Sequence, residues 1–211
     1  MDINQIYKIL YETYGSQNWW PADTKEEIVI GAILTQNTSW VNVEKAIANL
    51  KGEGLCTLDG VLSVDTGALA ELIRPSGYFN QKAIRLQTVA SFILSDAWKK
   101  CIKSCKNIDT LRNMLLSVKG IGPETADSIL LYVYDKPIFV IDAYTKRVFS
   151  RLGFLPIDAS YQAYQDLFMN GLKHDAAVFN EYHALILNLC KSHCKVKPVC
   201  EGCPVRKGCN I

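Results

Sequence analysis

Five of the eight cysteines fall in the last 22 residues: Cys190, Cys194, Cys200, Cys203 and Cys209. Four of them form Cys194-x5-Cys200-x2-Cys203-x5-Cys209 in the run CKVKPVCEGCPVRKGC. In a reducing compartment, so tight a group of soft ligands points to metal rather than to disulfides. Four thiolates satisfy an iron–sulfur cluster or tetrahedral zinc. The remaining thiols, Cys56, Cys101 and Cys105, are scattered and read as bystanders. From Lys191 to the last residue there are five basic side chains (Lys191, Lys195, Lys197, Arg206, Lys207) against one acid, Glu201. Such a local excess suits phosphates, although the formal charge of the whole chain is only +2.

A second chemistry-bearing group lies in VKGIGPETADS, residues 118–128. Gly120 and Gly122 permit a sharp turn with exposed backbone N–H groups, and Pro123 suits the first turn of a following helix. A helix N-terminus of this kind fits a phosphate by backbone contact, without reading sequence; an ordinary glycine turn is the plainer alternative. Glu124 stands at the lip of that helix. Eighteen residues later Asp142 ends the apolar run PIFVI and opens a basic segment with Lys146, Arg147 and Arg151. Asp142 can serve as an N-cap, and a carboxylate among apolar neighbours can also support a developing cation.

The elements that must position these residues read almost entirely as helix. EEIVIGAILTQNT follows the capping candidates Asp23 and Thr24. SWVNVEKAIANLK places Val43, Ala46, Ile47 and Leu50 at helical spacing. NQKAIRLQTVASFILSDAW reads as one long amphipathic helix, and DAYTKRVFSRLGF, SYQAYQDLFMNGL and DAAVFNEYHALILNLC complete the set. The fold class is all-α, with nine or ten helices and no repeats. The composition, 49% hydrophobic and 21% charged over 211 residues, allows a substantial core and excludes disorder. No apolar run reaches membrane-spanning length and MDINQIYKIL is not a signal peptide, so an intracellular, cytoplasmic protein is expected, with no membrane partner.

LLSVKGIGPETADSILLY followed by FVIDAYTKR resembles the helix-hairpin-helix motif and catalytic aspartate of the endonuclease III superfamily of DNA glycosylases. GAILTQNTSWVNVEKAIANL resembles the segment near that family's base wedge. SGYFNQKAIRL resembles its Gly-x-x-x-x-Lys-Ala helix start, here Gly77, Lys82 and Ala83. The cysteine tail resembles its iron–sulfur loop, with the first gap one residue shorter than usual. The resemblance covers most of the chain. It implies a [4Fe–4S] cluster on Cys194, Cys200, Cys203 and Cys209, structural rather than redox-catalytic, with zinc as the alternative and Cys190 the weaker candidate for the first ligand. It also implies two helical domains with DNA and the base pocket between them. One spans 22–134 and holds the hairpin at about 109–134; the other joins 1–21 to 135–211 and carries the loop 190–209.

The same resemblance assigns roles. Bifunctional members have a lysine where this chain has Glu124, and a carboxylate cannot form a Schiff base. A monofunctional N-glycosylase is therefore expected, with lyase activity weak or absent. Asp142 would stabilise the oxocarbenium-like sugar or activate water. Gln36 and Asn37 are wedge candidates. Lys82, Gly120, Gly122, Lys146, Lys195, Lys197 and Arg206 are candidates for backbone contact. WWPADTKEEIVIGAILTQNTSW resembles the endonuclease III-like 3-methyladenine glycosylases, in which the pocket would be Trp19, Trp20, Pro21 and Trp40 with Glu124. Aromatic faces attract the cationic ring of an alkylated purine. The expected partner is double-stranded DNA containing a damaged base, and a monomer is expected. Three alternatives stand: a bifunctional enzyme acting on oxidised pyrimidines, a mismatch glycosylase, and a non-catalytic DNA-binding module.

Overall fold

A computed structural model describes residues 1–211 except Asn18 and Pro21. Twelve α-helices and no strand are found among the described residues. The chain divides into two compact units, Trp20–Tyr134 and a second made of Met1–Trp19 with Asp135–Ile211.

Helix α1 (Ile3–Tyr14) opens the second unit with a capping box: Asp2 accepts from the Gln5 amide, and Gln5 accepts from the Asp2 amide. The unit 20–134 begins with α2 (Lys25–Leu34), capped by Thr24 and buried along nearly its whole length. Its first-turn Glu27 is buried too and is paired with Lys51 at 2.9 Å. Then come α3 (Trp40–Gly52), α4 (Leu58–Ser63) and α5 (Thr66–Leu72). Helices α2, α4 and α5 pack on α6 (Phe79–Leu94), whose inner stripe of Ala83, Leu86, Val89, Ala90 and Ile93 fills the core. The single long helix expected from residue 80 to 98 is broken. Ser95 takes an extended backbone, and its hydroxyl caps the Trp98 amide to start α7 (Asp96–Ser104). The bend lets Trp98 be fully buried, with its indole N–H donating to the Tyr134 hydroxyl.

Helices α8 (Ile108–Leu116) and α9 (Pro123–Ser128) form the hairpin, and α9 runs on into a π-helical turn, Ile129–Val133, packed against α2. In the second unit, α10 (Ala143–Arg151) and α12 (Ala176–Ser192) pack together, with α1 against α12 and α11 (Tyr161–Gly171) beside α1. The core here is aromatic: Phe139 stacks on Phe168 at 3.9 Å, ringed by Phe149, Phe179 and Tyr182.

Candidate active site and cysteine loop

The hairpin is built on Gly120. Its φ is +99°, and a Cβ there would lie 2.7 Å from Cγ of Arg85. Only glycine suits both the backbone and the close approach. Val118 and Ile121 turn into the core, while Gly122, Pro123 and Glu124 are exposed. Glu124 therefore stands on the surface of the first turn of α9.

Gln36, expected as a wedge, is instead tied into this turn. Its amide donates to Gly120 O at 3.1 Å and to Thr125 Oγ1 at 3.0 Å, and its Oε1 accepts from Arg85 at 2.9 Å. Asn37 beside it is exposed in a left-handed backbone, φ +54°. Asparagine tolerates that conformation better than most side chains. Lys82, expected on the DNA backbone, is 1% exposed. Its ammonium donates to Leu34 O at 2.8 Å and Ser76 O at 2.6 Å, and burial, with the nearby Arg85, pushes it down to about 8. It is a structural brace and cannot reach a phosphate.

The aromatic candidates separate. Trp20 meets Trp40 edge-on at 5.5 Å and Tyr132 at 4.9 Å, with its ring 3.6 Å from where a Gly31 Cβ would lie. Tyr132 was hidden in the apolar run ILLYVY; no sequence signal set it apart. Trp19 belongs to the other unit, where the Lys191 ammonium sits 5.3 Å over its ring. Pro21 lies outside the described residues.

In the second unit Asp142 caps α10, its Oδ1 accepting from the Thr145 amide at 2.7 Å. Its Oδ2 lies 3.5 Å from Nε2 of His183, a buried residue of α12 that sequence reasoning missed. A lone histidine on an apolar helical face carries no distinguishing pattern. The Asp142 carboxylate is 12% exposed. Burial pushes its pKa up, but His183 and the Thr145 amide outweigh this and hold it below the ordinary carboxylate value. It is an ionised, oriented carboxylate, suited to stabilising a cation or accepting a proton from water.

Lys146 is turned away from solvent, donating to Ala159 O at 2.6 Å and covering the Tyr164 ring at 5.3 Å. That geometry does not leave it for a phosphate. Lys195, Lys197 and Arg206 are exposed, although Arg206 also donates to the Ile211 oxygen.

Two arginines of α10 hold the cysteine loop. Arg147 donates to Cys194 O at 2.8 Å; Arg151 donates to Cys194 Sγ at 3.2 Å, to Lys195 O at 2.7 Å and to Val196 O at 3.0 Å. A hydrogen bond from the Cys190 thiol, with these guanidinium groups, brings the Cys194 thiol below its ordinary value against the effect of burial. Cys194, Cys200, Cys203 and Cys209 line one small, partly open pocket, walled also by Val148, Leu152, Leu189 and Val205. All four are free thiols, and no Asp or Glu side chain is among the residues lining the pocket, although the chain-terminal Ile211 is. Among the described residues no three such ligands converge to metal-binding range. The donor set nonetheless fits a soft metal group rather than a hard cation. Cys190 is not part of that wall, but its thiol lies against Cys194 as well as 3.8 Å from Tyr144 O.

A protein-family model described as HhH-GPD superfamily base excision DNA repair protein matches residues 30–174. The chain belongs to that superfamily. It is a DNA glycosylase by family. A Methanocaldococcus jannaschii protein named as a DNA repair glycosylase is 51% identical over 209 residues, covering 98% of this chain and 95% of that one. An endonuclease III of Sulfolobus acidocaldarius is 31% identical over 228 residues, covering 99% and 96%. The solved 3-methyladenine DNA glycosylase of H. pylori, bound to 1,N6-ethenoadenine, superimposes with TM-score 0.78 at 30% identity, over 90% of this chain and 98% of that one. A non-covalent endonuclease III–DNA complex shares the fold, with TM-score 0.81 at 21% identity over 98% of this chain and 93% of that one. No helix among the described residues is long and apolar enough to cross a membrane.

Proposed function

We propose that this glycosylase is monofunctional and removes an alkylated purine such as 3-methyladenine from duplex DNA. The observation that carries the reading is the ionised, capped carboxylate of Asp142; the hairpin, for its part, has the carboxylate of Glu124 where bifunctional relatives would have an amine. Hydrolysis breaks the C1′–N bond, and the electron pair leaves on the base. An alkylated purine departs neutral because it begins cationic. The sugar acquires oxocarbenium character, which the Asp142 carboxylate stabilises. Water then adds at C1′ and gives up its proton, for which Asp142 is the acceptor.

The target base must leave the helical stack to be read. The cluster of Trp20, Trp40 and Tyr132 presents electron-rich faces suited to a positively charged ring. The likeness to the H. pylori enzyme supports that choice. Asn37 is the wedge residue, Gly120 and Gly122 hold the phosphate backbone through their amides, and Lys195, Lys197 and Arg206 supply charge. Cys194, Cys200, Cys203 and Cys209 hold a [4Fe–4S] cluster, which fixes the basic loop when bound. The chain acts as a monomer.

Methylated duplex DNA tests the reading. Release of free 3-methyladenine, with strand breaks only after alkali, is expected. Strand breaks without alkali, together with borohydride trapping of an adduct, would establish a lyase; Lys119, exposed in the hairpin turn, would then be the first nucleophile to replace.

A further inference from the structure

We propose that His183 is a positioning residue for Asp142, fixing which carboxylate oxygen is presented to the sugar; this rests on the reading of Asp142 given above. The inner face of α12 is apolar: Phe179, Ile186 and Leu189 are fully buried around it. An imidazole in such a wall carries a desolvation cost unless a polar group meets it. Here the group is Asp142 Oδ2, 3.5 Å from Nε2, and the imidazole packs edge-on to Phe139 at 6.4 Å between ring centroids.

The two carboxylate oxygens have different surroundings. Oδ1 is taken by the Thr145 amide as the cap of α10. Oδ2 is faced by His183 Nε2 at ion-pair distance rather than in a formed hydrogen bond, so the imidazole is placed to tighten onto that oxygen and set the rotation of the carboxylate plane. The backbone leading into Asp142 is pinned. The Ile141 amide donates to the Tyr161 hydroxyl at 3.2 Å, and Gln165 donates to Phe139 O at 2.8 Å. Tyr182, adjacent to His183, donates to Ile3 O at 2.8 Å. The fold, rather than side-chain chance, sets the spacing of the pair. This inverts the arrangement of hydrolase triads, in which a carboxylate orients a histidine; here a histidine orients the carboxylate. At metal sites, losing the partner that orients a ligand costs about 10- to 100-fold in activity, and a histidine that orients a carboxylate is expected to act on a similar scale.

The test uses the full chain in its metal-loaded form. Single-turnover excision is measured on duplexes carrying 3-methyladenine, an oxidised pyrimidine or a mismatch, with the one that wild type processes fastest used throughout. DNA affinity and Tm are measured alongside. His183→Phe is expected to slow the chemical step by about tenfold or more with affinity unchanged. His183→Gln, which keeps an N–H donor, is expected to recover most of that rate. Two results overturn the proposal: a His183→Phe protein as fast as wild type, or equal slowing in both variants in step with a fall in Tm. Asp142→Asn separates the two ideas. If it turns over normally, the catalytic reading of Asp142 falls; if it is inactive while His183→Phe is fully active, only the positioning role falls.

Discussion

Arg112 grips Asp127 across the hairpin with two hydrogen bonds, Nε to Oδ1 at 2.7 Å and Nη2 to Oδ2 at 3.2 Å. Asp127 is fully buried, and the Arg112 side chain is 16% exposed. The pair joins α8 to α9 and so holds the turn between them in shape. Removing one partner of a buried ion pair strands the other charge, at a cost of about 3–5 kcal/mol. Arg112→Met is therefore expected to lower stability by about that amount in urea titration. Replacing both residues, Arg112→Met with Asp127→Leu, should recover much of it. A single variant that melts like wild type would show that the pair does not brace the hairpin.

Gln36 links the turn after α2 to the same hairpin through Gly120 O and Thr125 Oγ1, and Arg85 holds its other end. Gln36→Ala leaves the Arg85 and Thr125 groups without that partner, at roughly 1–3 kcal/mol. DNA affinity should fall with it, because the glycine turn loses its brace. Gel-shift titration on undamaged duplex reads this directly. Unchanged affinity would return Gln36 to the wedge role that its sequence context suggests.

The sequence made some of this legible and concealed the rest for physical reasons. Helix starts were readable at Thr24 and Asp142, because short polar side chains before an apolar period cap backbone amides locally. The hairpin was readable from Gly120, Gly122 and Pro123, whose backbone preferences are intrinsic. Lys82 and Lys146 misled because a lysine's charge is visible in sequence whereas the carbonyl groups that receive it come from distant residues: Leu34 and Ala159 are 48 and 13 positions away. His183 and Tyr132 were invisible for the converse reason. Each sits on a buried helical face where any large residue would fit the pattern. The break at Ser95 was missed because its capping hydroxyl competes with helix continuation only when Trp98 has a core to enter.

The aromatic cluster makes a prediction about substrate. If Trp20, Trp40 and Tyr132 receive a cationic base, Trp40→Ala should reduce excision of alkylated purines more than binding to undamaged DNA. A cation–π contact contributes about 0.5–2 kcal/mol, so a loss of roughly 2- to 30-fold is expected. Trp40→Phe should retain most activity, since a ring remains. Equal losses on damaged and undamaged duplex would mean that the cluster supports the fold and does not read the base.

Acid titration tests the charge on Asp142. Its carboxyl is held below its ordinary value because His183 and the Thr145 amide outweigh burial. A depressed carboxyl contributes stability that is fully present above the unfolded-state value, about 3.9, and is lost as pH falls through the folded value. The contribution therefore persists through neutral pH and disappears only below about pH 4. Asp142→Asn keeps the cap but removes the charge. The Tm difference between wild type and this variant should be constant from about pH 7 to 5 and narrow in stronger acid. Narrowing already above pH 5 would mean that the folded-state carboxyl is not depressed.

The cysteine loop should respond unequally to its five sulfurs. Cys194, Cys200, Cys203 and Cys209 line the pocket, whereas Cys190 lies behind Cys194, outside that wall. Protein prepared without oxygen should carry about four iron and four sulfide per chain, with the broad visible absorbance of a [4Fe–4S] centre. Cys203→Ser should lose iron and absorbance, and Cys190→Ser should keep both. Zinc in place of iron, at about one per chain with four cysteines still required, would establish the tetrahedral alternative. If Cys190→Ser loses the metal and Cys194→Ser keeps it, the first ligand is Cys190, and the Arg151 contact to Cys194 Sγ holds a bystander thiol.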